Sequence, residues 1–417
     1  MSFAFFVAFV VERYNGCPMR PDPLGYLADE LNALREQGVY RSPRILDGEQ
    51  RAHTSVDHRS VVNLSSNNYL GLTTHPLLRE RALDATRRFG VGSGSVRTIA
   101  GTMAIHVELE TKLASFKRTE AAVVFQSGFT ANAGTVSSIL GRDDVIVSDE
   151  LNHASIIDGA RLSRATIKVF AHRDAQAARA ILTQLRPGAR VLLVTDGVFS
   201  MDGDLGALPA LADLADEFGA IMMVDDAHAS GVFGDHGRGT VDHFGLHGRV
   251  DVQVGTLSKA LGALGGYVAG SRTLIDFLRQ RARPFLFSTL HPPAVAATCL
   301  AALEVLEQEP GLMERLWENT RFFKTGLSAL GFDTGASESP ITPVMVGDAA
   351  LAMTLSDRLF QEGVFAQGIG FPTVPAGRAR VRTIVTATHT REDLQFALDA
   401  FGRAGRDLGI LPPITPR

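Results

Sequence analysis

The chemistry of this sequence centres on Lys259, in VQVGTLSKALG, where an apolar run (residues 252–254) gives way to the hydroxyls of Thr256 and Ser258 and then to the lysine. A lysine directly past an apolar strand end is badly placed for a solvated surface charge. Desolvation there favours the neutral amine, which is a nucleophile toward carbonyl carbon. The aldehyde of pyridoxal 5'-phosphate (PLP) is the commonest cofactor partner for such an amine. Three other strand ends carry complementary groups. IMMVDDAHASG ends in Asp225, Asp226 and His228, VLLVTDGVFSMDGD ends in Asp196 and Ser200, and VVFQSGFTANAG sets Ser127, Gly128 and Phe129 before a helix. An aspartate facing a pyridine nitrogen keeps it protonated, so the ring can take up electrons, and Asp225 is the candidate. Backbone N–H groups at a helix start hold phosphate. Read singly, Asp225 with His228 is a capping pair and Ser-Gly-Phe a turn. Taken in this order, the four ends specify a PLP site.

These ends must be held by a sheet. From about residue 61, short β-branched runs alternate with helical patterns, which predicts an α/β domain on a mostly parallel central sheet. Residues 121–125, 145–147, 191–194, 221–224 and 252–254 read as strands buried on both faces, and ligands of such sheets lie beyond the strands' carboxyl ends. After Pro292 and Pro293 the pattern changes: helices over 294–306 and 313–330, short strands over 342–346, 364–369 and 379–387, and a closing helix over 391–408. The predicted division is an N-terminal tail and helical arm (1–60), a large cofactor-binding domain (61–293) and a smaller C-terminal α+β domain (294–417). GVGSGS at 90–95 follows a helical stretch and reads as a flexible turn. A nicotinamide site would need that glycine-rich turn after the first strand, with an acid about 20 residues on.

The bulk composition of the 417 residues, 45% apolar and 21% charged, is that of an ordinary globular chain, and the net charge of -4 argues against a nucleic-acid partner. Cys17 and Cys299 form no Cys-x-x-Cys pair, so neither a disulfide framework nor a thiolate metal site is suggested, and a reducing cytoplasm fits best. Residues 2–11 are apolar, but a bilayer span needs about 20 residues and no basic segment precedes them. They read as an accessory tail rather than a membrane anchor, with Met19 as an alternative start, since amphipathic spacing begins near Pro23 with Leu24, Leu27, Leu31 and Leu34.

From about residue 24 to the C-terminus, the order SGF, LNHAS, DGVFSMDG, VDDAH, GTLSKALGALGG and RVRT resembles the α-oxoamine synthase family of fold type I PLP enzymes. The resemblance implies a homodimer with shared active sites that condenses a small amino acid with an acyl thioester such as acyl-CoA. It implies that Lys259 bears the cofactor and moves the substrate α-proton, that Asp225 pairs with the pyridine nitrogen, that His228 and Ser200 bond the ring oxygen, and that His153 stacks on the ring. The plain reading of His153 is a helix-start residue. Gly128, Phe129 and Thr256 would meet the phosphate, with Ser288 and Thr289 reaching the partner subunit's phosphate. Here the sequence departs from the family, with Leu290 where a third hydroxyl is usual. Arg382 would clamp the amino-acid carboxylate, chosen over Arg378 and Arg380 by the family match, and Asn68 would lie near the substrate. A non-catalytic relative of this fold would lack the lysine.

Within the family, Phe371 before Pro372 and the segments VRTIAGTMAIHVELE and FGLHGRVDVQVGTLSKALG look closer to the glycine C-acetyltransferase branch, which implies glycine and acetyl-CoA as substrates. The second reading is the 8-amino-7-oxononanoate synthase branch, with alanine and a pimeloyl thioester, or a broad-range enzyme that does both.

Overall fold

The computed structural model describes residues 22–38, 40, 42–186 and 188–413. The chain divides into two compact units, residues 1–45 and 46–417. In the first, the leucine spacing forms the helix Tyr26–Glu36. The apolar run 2–11, Cys17 and the alternative start at Met19 lie outside the described residues.

The second unit opens with an antiparallel hairpin, β1 (His53–Val56) and β2 (Arg59–Asn63). Next come β3 (Ala121–Phe125), β4 (Val145–Asp149), β5 (Thr166–Phe170), β6 (Val191–Asp196), β7 (Ile221–Asp225), β8 (Val252–Thr256) and β9 (Gly266–Gly270). They form one sheet in the order β3-β9-β8-β7-β6-β4-β5. Neighbours from β8 to β5 are parallel, and β9 runs antiparallel between β3 and β8. This is the expected α/β class. Every position of β3 and β6 is buried, because alternate side chains serve opposite faces. Leu192 and Val194 pack into one layer and Val191 and Leu193 into the other.

Two strands of this sheet lie outside the sequence expectation, as does the hairpin β1–β2, which falls across the end of the stretch expected to be a helical arm. The first four positions of β5 are exposed, so this edge strand shows no apolar run. Glycine-flanked β9 is the other, and its first glycine is required: a Cβ on Gly266 would lie 2.3 Å from Ser127 O.

The C-terminal part adds β10 (Ile341–Gly347), β11 (Val364–Phe365), β12 (Gln367–Ile369) and β13 (Ala379–Ile384). A small antiparallel sheet has the order β10-β13-β12, while β11 joins β2 in parallel. The single strand expected over 364–369 is therefore corrected to two strands in different sheets, with the switch at fully buried Ala366. Helices Pro293–Gln308, Gly311–Leu330 and Arg391–Asp407 stand where the periodicity puts them. A reciprocal cap starts the last one: Thr390 Oγ1 accepts the Asp393 N–H, and Asp393 Oδ2 accepts the Thr390 N–H. No helix among the described residues is long and apolar enough to cross a membrane.

Candidate active site

The carboxyl ends of β6, β7 and β8 and the start of helix Gly128–Ile139 converge on a cavity of about 210 Å³. Gly128, Phe129, His153, Ser200, Asp225, His228, Thr256 and Lys259 line it, joined by Ser127, Asn132, Ser155, Asp196 and Ser258. Asn68, Ser288, Thr289 and Arg382 are not among its lining residues.

Burial depresses the Lys259 amine to about 8, with Arg382 pushing the same way and Asp225 and Asp196 opposing. Near neutral pH a usable fraction of this lysine is therefore a free amine. Thr256 Oγ1 lies 2.8 Å from Ser258 Oγ and donates to Gly265 O at 2.8 Å, which fixes the turn leading into the lysine.

Asp225 closes β7 with both carboxylate oxygens engaged. Oδ2 accepts Asn132 Nδ2 at 2.6 Å, and Oδ1 accepts the Ala227 N–H at 2.8 Å. Behind it, Asp226 is fully buried against Lys117 Nζ at 2.9 Å, and Lys117 also donates to Arg238 O. Thr240 donates to Asp226 through its hydroxyl and its N–H. This buried pair fixes the turn between Asp225 and His228.

His228 is buried, with Nδ1 2.7 Å from the Tyr69 hydroxyl. Burial, then the charges of Lys259, Arg382 and His153, hold it well below the ordinary histidine range. It is a neutral ring with a fixed partner. His153 is both things the sequence offered: its Nδ1 accepts the Ser155 N–H at 3.3 Å as the cap of helix Ala154–Ser163, and its ring lines the cavity. Burial lowers its pKa, with Asp225 opposing.

Helix Gly128–Ile139 begins with Ser127 Oγ accepting the Thr130 N–H at 3.1 Å and Ser127 O accepting that of Ala131. The amides of Gly128 and Phe129 have no acceptor inside the helix, as is general for a first turn, and the helix dipole adds to their pull on an anion. These features fit PLP: a nucleophilic lysine, an oriented aspartate for a ring nitrogen and an anion-binding helix start around one cavity.

The three arginines of RARVRT separate clearly. Arg378 is exposed. Arg380 is buried and donates to Asp202 Oδ1 at 2.6 Å and Met201 O at 3.0 Å. Arg382 donates one N–H to Ser200 O at 3.0 Å, and its charge is felt at both Lys259 and His228. Asn68 is tied to Thr73 Oγ1 at 2.7 Å and Gln50 O at 3.2 Å, so its amide braces the β2–Thr73 turn. Thr289 accepts Gln126 Nε2 on its carbonyl and bridges to Val96, and Leu290 packs into the apolar core. Tyr69 and Asn132 were missed in the sequence because nothing local links them to His228 and Asp225.

Fold and site together define a fold type I PLP-dependent transferase. The aminotransferase class I and II family model matches residues 59–401. The chain is 60% identical over 387 residues to 8-amino-7-oxononanoate synthase of Symbiobacterium thermophilum, covering 93% of this chain and 99% of that one. It is 54% identical to 8-amino-7-oxononanoate synthase 1 of Bacillus subtilis, with 93% and 98% covered. Among solved structures, serine palmitoyltransferase from S. paucimobilis with bound PLP–myriocin aldimine is 32% identical at a TM-score of 0.89, covering 94% of this chain and 100% of that one. The chain belongs to the class I and II aminotransferase family and, within it, to the α-oxoamine synthases. It is a PLP-dependent acyltransferase.

These relatives overturn the expectation of a glycine C-acetyltransferase. Two of the markers used for it lie outside the cavity, and the third, FGLHGRVDVQVGTLSKALG, carries Thr256, Ser258 and Lys259 of its lining. Phe371 is 65% exposed between β12 and β13 and does not line the cavity. In VRTIAGTMAIHVELE, Arg97 and Glu110 form a buried ion pair at 2.8 Å, a packing feature.

Proposed function

We propose that this enzyme is an 8-amino-7-oxononanoate synthase, condensing alanine with a pimeloyl thioester and releasing carbon dioxide and the free thiol. The observation that carries this reading is the 51–60% identity, over more than nine-tenths of the chain, to proteins of that name. The cavity fits the PLP chemistry that this reading needs. When bound, PLP supplies an electron sink for the α-carbanion of the amino acid. Lys259 is its covalent anchor and, with an amine poised near 8, the base that takes and returns the proton at the α-carbon. Asp225, oriented by Asn132 and the Ala227 N–H, would pair with the ring nitrogen. Neutral His228 and Ser200 would bond the ring oxygen, and His153 would stack on the ring face.

Arg382 clamps the alanine carboxylate, a task suited to a planar guanidinium. Gly128, Phe129 and Thr256 hold the phosphate, with Ser288 and Thr289 serving the partner subunit of a homodimer. The low cysteine count, with Cys299 buried and free, suits a reducing cytoplasm. Carboxyl-labelled alanine with pimeloyl-CoA tests the reading: labelled carbon dioxide with 8-amino-7-oxononanoate by mass spectrometry is expected, and a product retaining the label would contradict it.

A further inference from the structure

The turn bearing His153 and the turn bearing Ser200 are tied together by a side chain that lines no part of the cavity. His172, just past β5, has Nδ1 3.1 Å from Asp149 Oδ1 and Nε2 2.8 Å from Asp204 Oδ2. Both carboxylates are buried, and the ring stands edge-on to Phe199 with centroids 4.4 Å apart. Asp149 Oδ1 also accepts the Leu151 N–H at 2.9 Å, so it starts the turn that delivers His153. Asp204 closes the turn around Ser200: its carbonyl accepts the Phe199 N–H at 3.0 Å, and Phe199 O accepts the Gly203 N–H at 2.8 Å. An imidazole donates to two carboxylates at once only when doubly protonated, since a neutral ring turns a lone pair toward one of the anions.

The remaining charged groups around His172 complete the cluster. Arg173 donates its N–H to Asp149 Oδ2 at 2.9 Å, and its guanidinium lies 3.2 Å from Asp204 Oδ2 and 3.2 Å from Glu338 Oε2. Glu150 Oε1 accepts the His172 N–H at 2.9 Å.

We propose that His172 is a positioning residue for the cofactor pocket, an imidazolium that clamps the His153 turn to the Ser200 turn. Burial opposes its charge, but the hydrogen bonds to Asp149 and Asp204 outweigh that and lift its pKa to about 9. A raised folded-state pKa means the clamp is intact below the ordinary histidine value and is lost as pH rises through about 9. The inference rests on the PLP pocket and not on which amino acid or thioester the enzyme uses.

The test is the dissociation constant of PLP from the apoprotein, by absorbance titration at several pH values, for wild type and His172→Gln. Taking the ratio of the two constants cancels the titration of Lys259, which both proteins share. The ratio should be roughly tenfold or more at pH 7.5, the scale of a charge-assisted hydrogen bond, and should fall toward one by about pH 10, where the wild-type ring is neutral. A ratio near one at pH 7.5, or one that does not change with pH, overturns the proposal. Asp204→Asn, which keeps the imidazole and its bond to Asp149, provides the same comparison if His172→Gln does not fold.

Discussion

Asp196 and Asp225 stand opposite one another in register at the ends of β6 and β7, yet their carboxyls meet contrasting surroundings. Asp225 has a partner on each oxygen, whereas Asp196 Oδ1 is buried with no partner among the described residues. Burial, then the charge of Asp225, raises the Asp196 pKa well above the ordinary carboxylate range, with Lys259 opposing. The two adjacent carboxyls thus differ in their surroundings, and burial favours the neutral form at Asp196. Asp196→Asn keeps the side-chain shape without a charge and should leave kcat/KM within about threefold of wild type, whereas Asp225→Asn should lower it by about 10²–10³-fold, as loss of a preorganised polar partner does. Equal damage from both substitutions would contradict this division.

The depressed pKa of Lys259 sets a pH dependence for cofactor capture. Below about 8 the protonated form predominates and the reactive fraction falls with pH; above it the neutral form dominates. The rate of apoprotein reconstitution with PLP, followed by growth of the visible band, should rise with pH through about 8 and then level off. Lys259→Ala should show no such band at any pH.

Arg382 and Arg380 make a matched pair of controls on one strand face. Arg382→Lys removes a forked donor and should raise the amino-acid KM by roughly 10–100-fold, equivalent to about 1.5–3 kcal/mol for a charged hydrogen bond, with a smaller effect on kcat. Arg380→Met strands the Asp202 carboxylate and should appear chiefly as a lowered melting temperature. Steady-state kinetics beside thermal melts distinguish the two roles.

Lys117→Met leaves Asp226 buried with its Thr240 bonds alone. Breaking a buried ion pair costs about 3–5 kcal/mol, so the variant should unfold at markedly lower urea concentration than wild type. Because the pair underlies the turn from Asp225 to His228, PLP affinity should fall as well.

The strand ends that build the cavity were legible because strands buried on both faces leave short, mostly apolar runs, and the functional residues lie just past them. Asp196 was visible as such an end, but its missing partner was not, since that depends on what folds around it. Edge strand β5 is exposed over its first four positions, the short apolar run of β9 is closed in by glycines, and 364–369 conceals a change of sheet at Ala366. Tyr69 reaches His228 from 159 residues away, a contact no local pattern encodes. Choice of branch was misread at exposed Phe371, because acyl-chain selection depends on the shape of an apolar channel, where one methylene is worth only about 1–3 kcal/mol.

The measurement that bears most directly on the proposed function is kcat/KM of the PLP-loaded enzyme for alanine with pimeloyl-CoA against glycine with acetyl-CoA. A strong preference for alanine and the pimeloyl thioester is the expected result. A preference for glycine and acetyl-CoA would contradict the account.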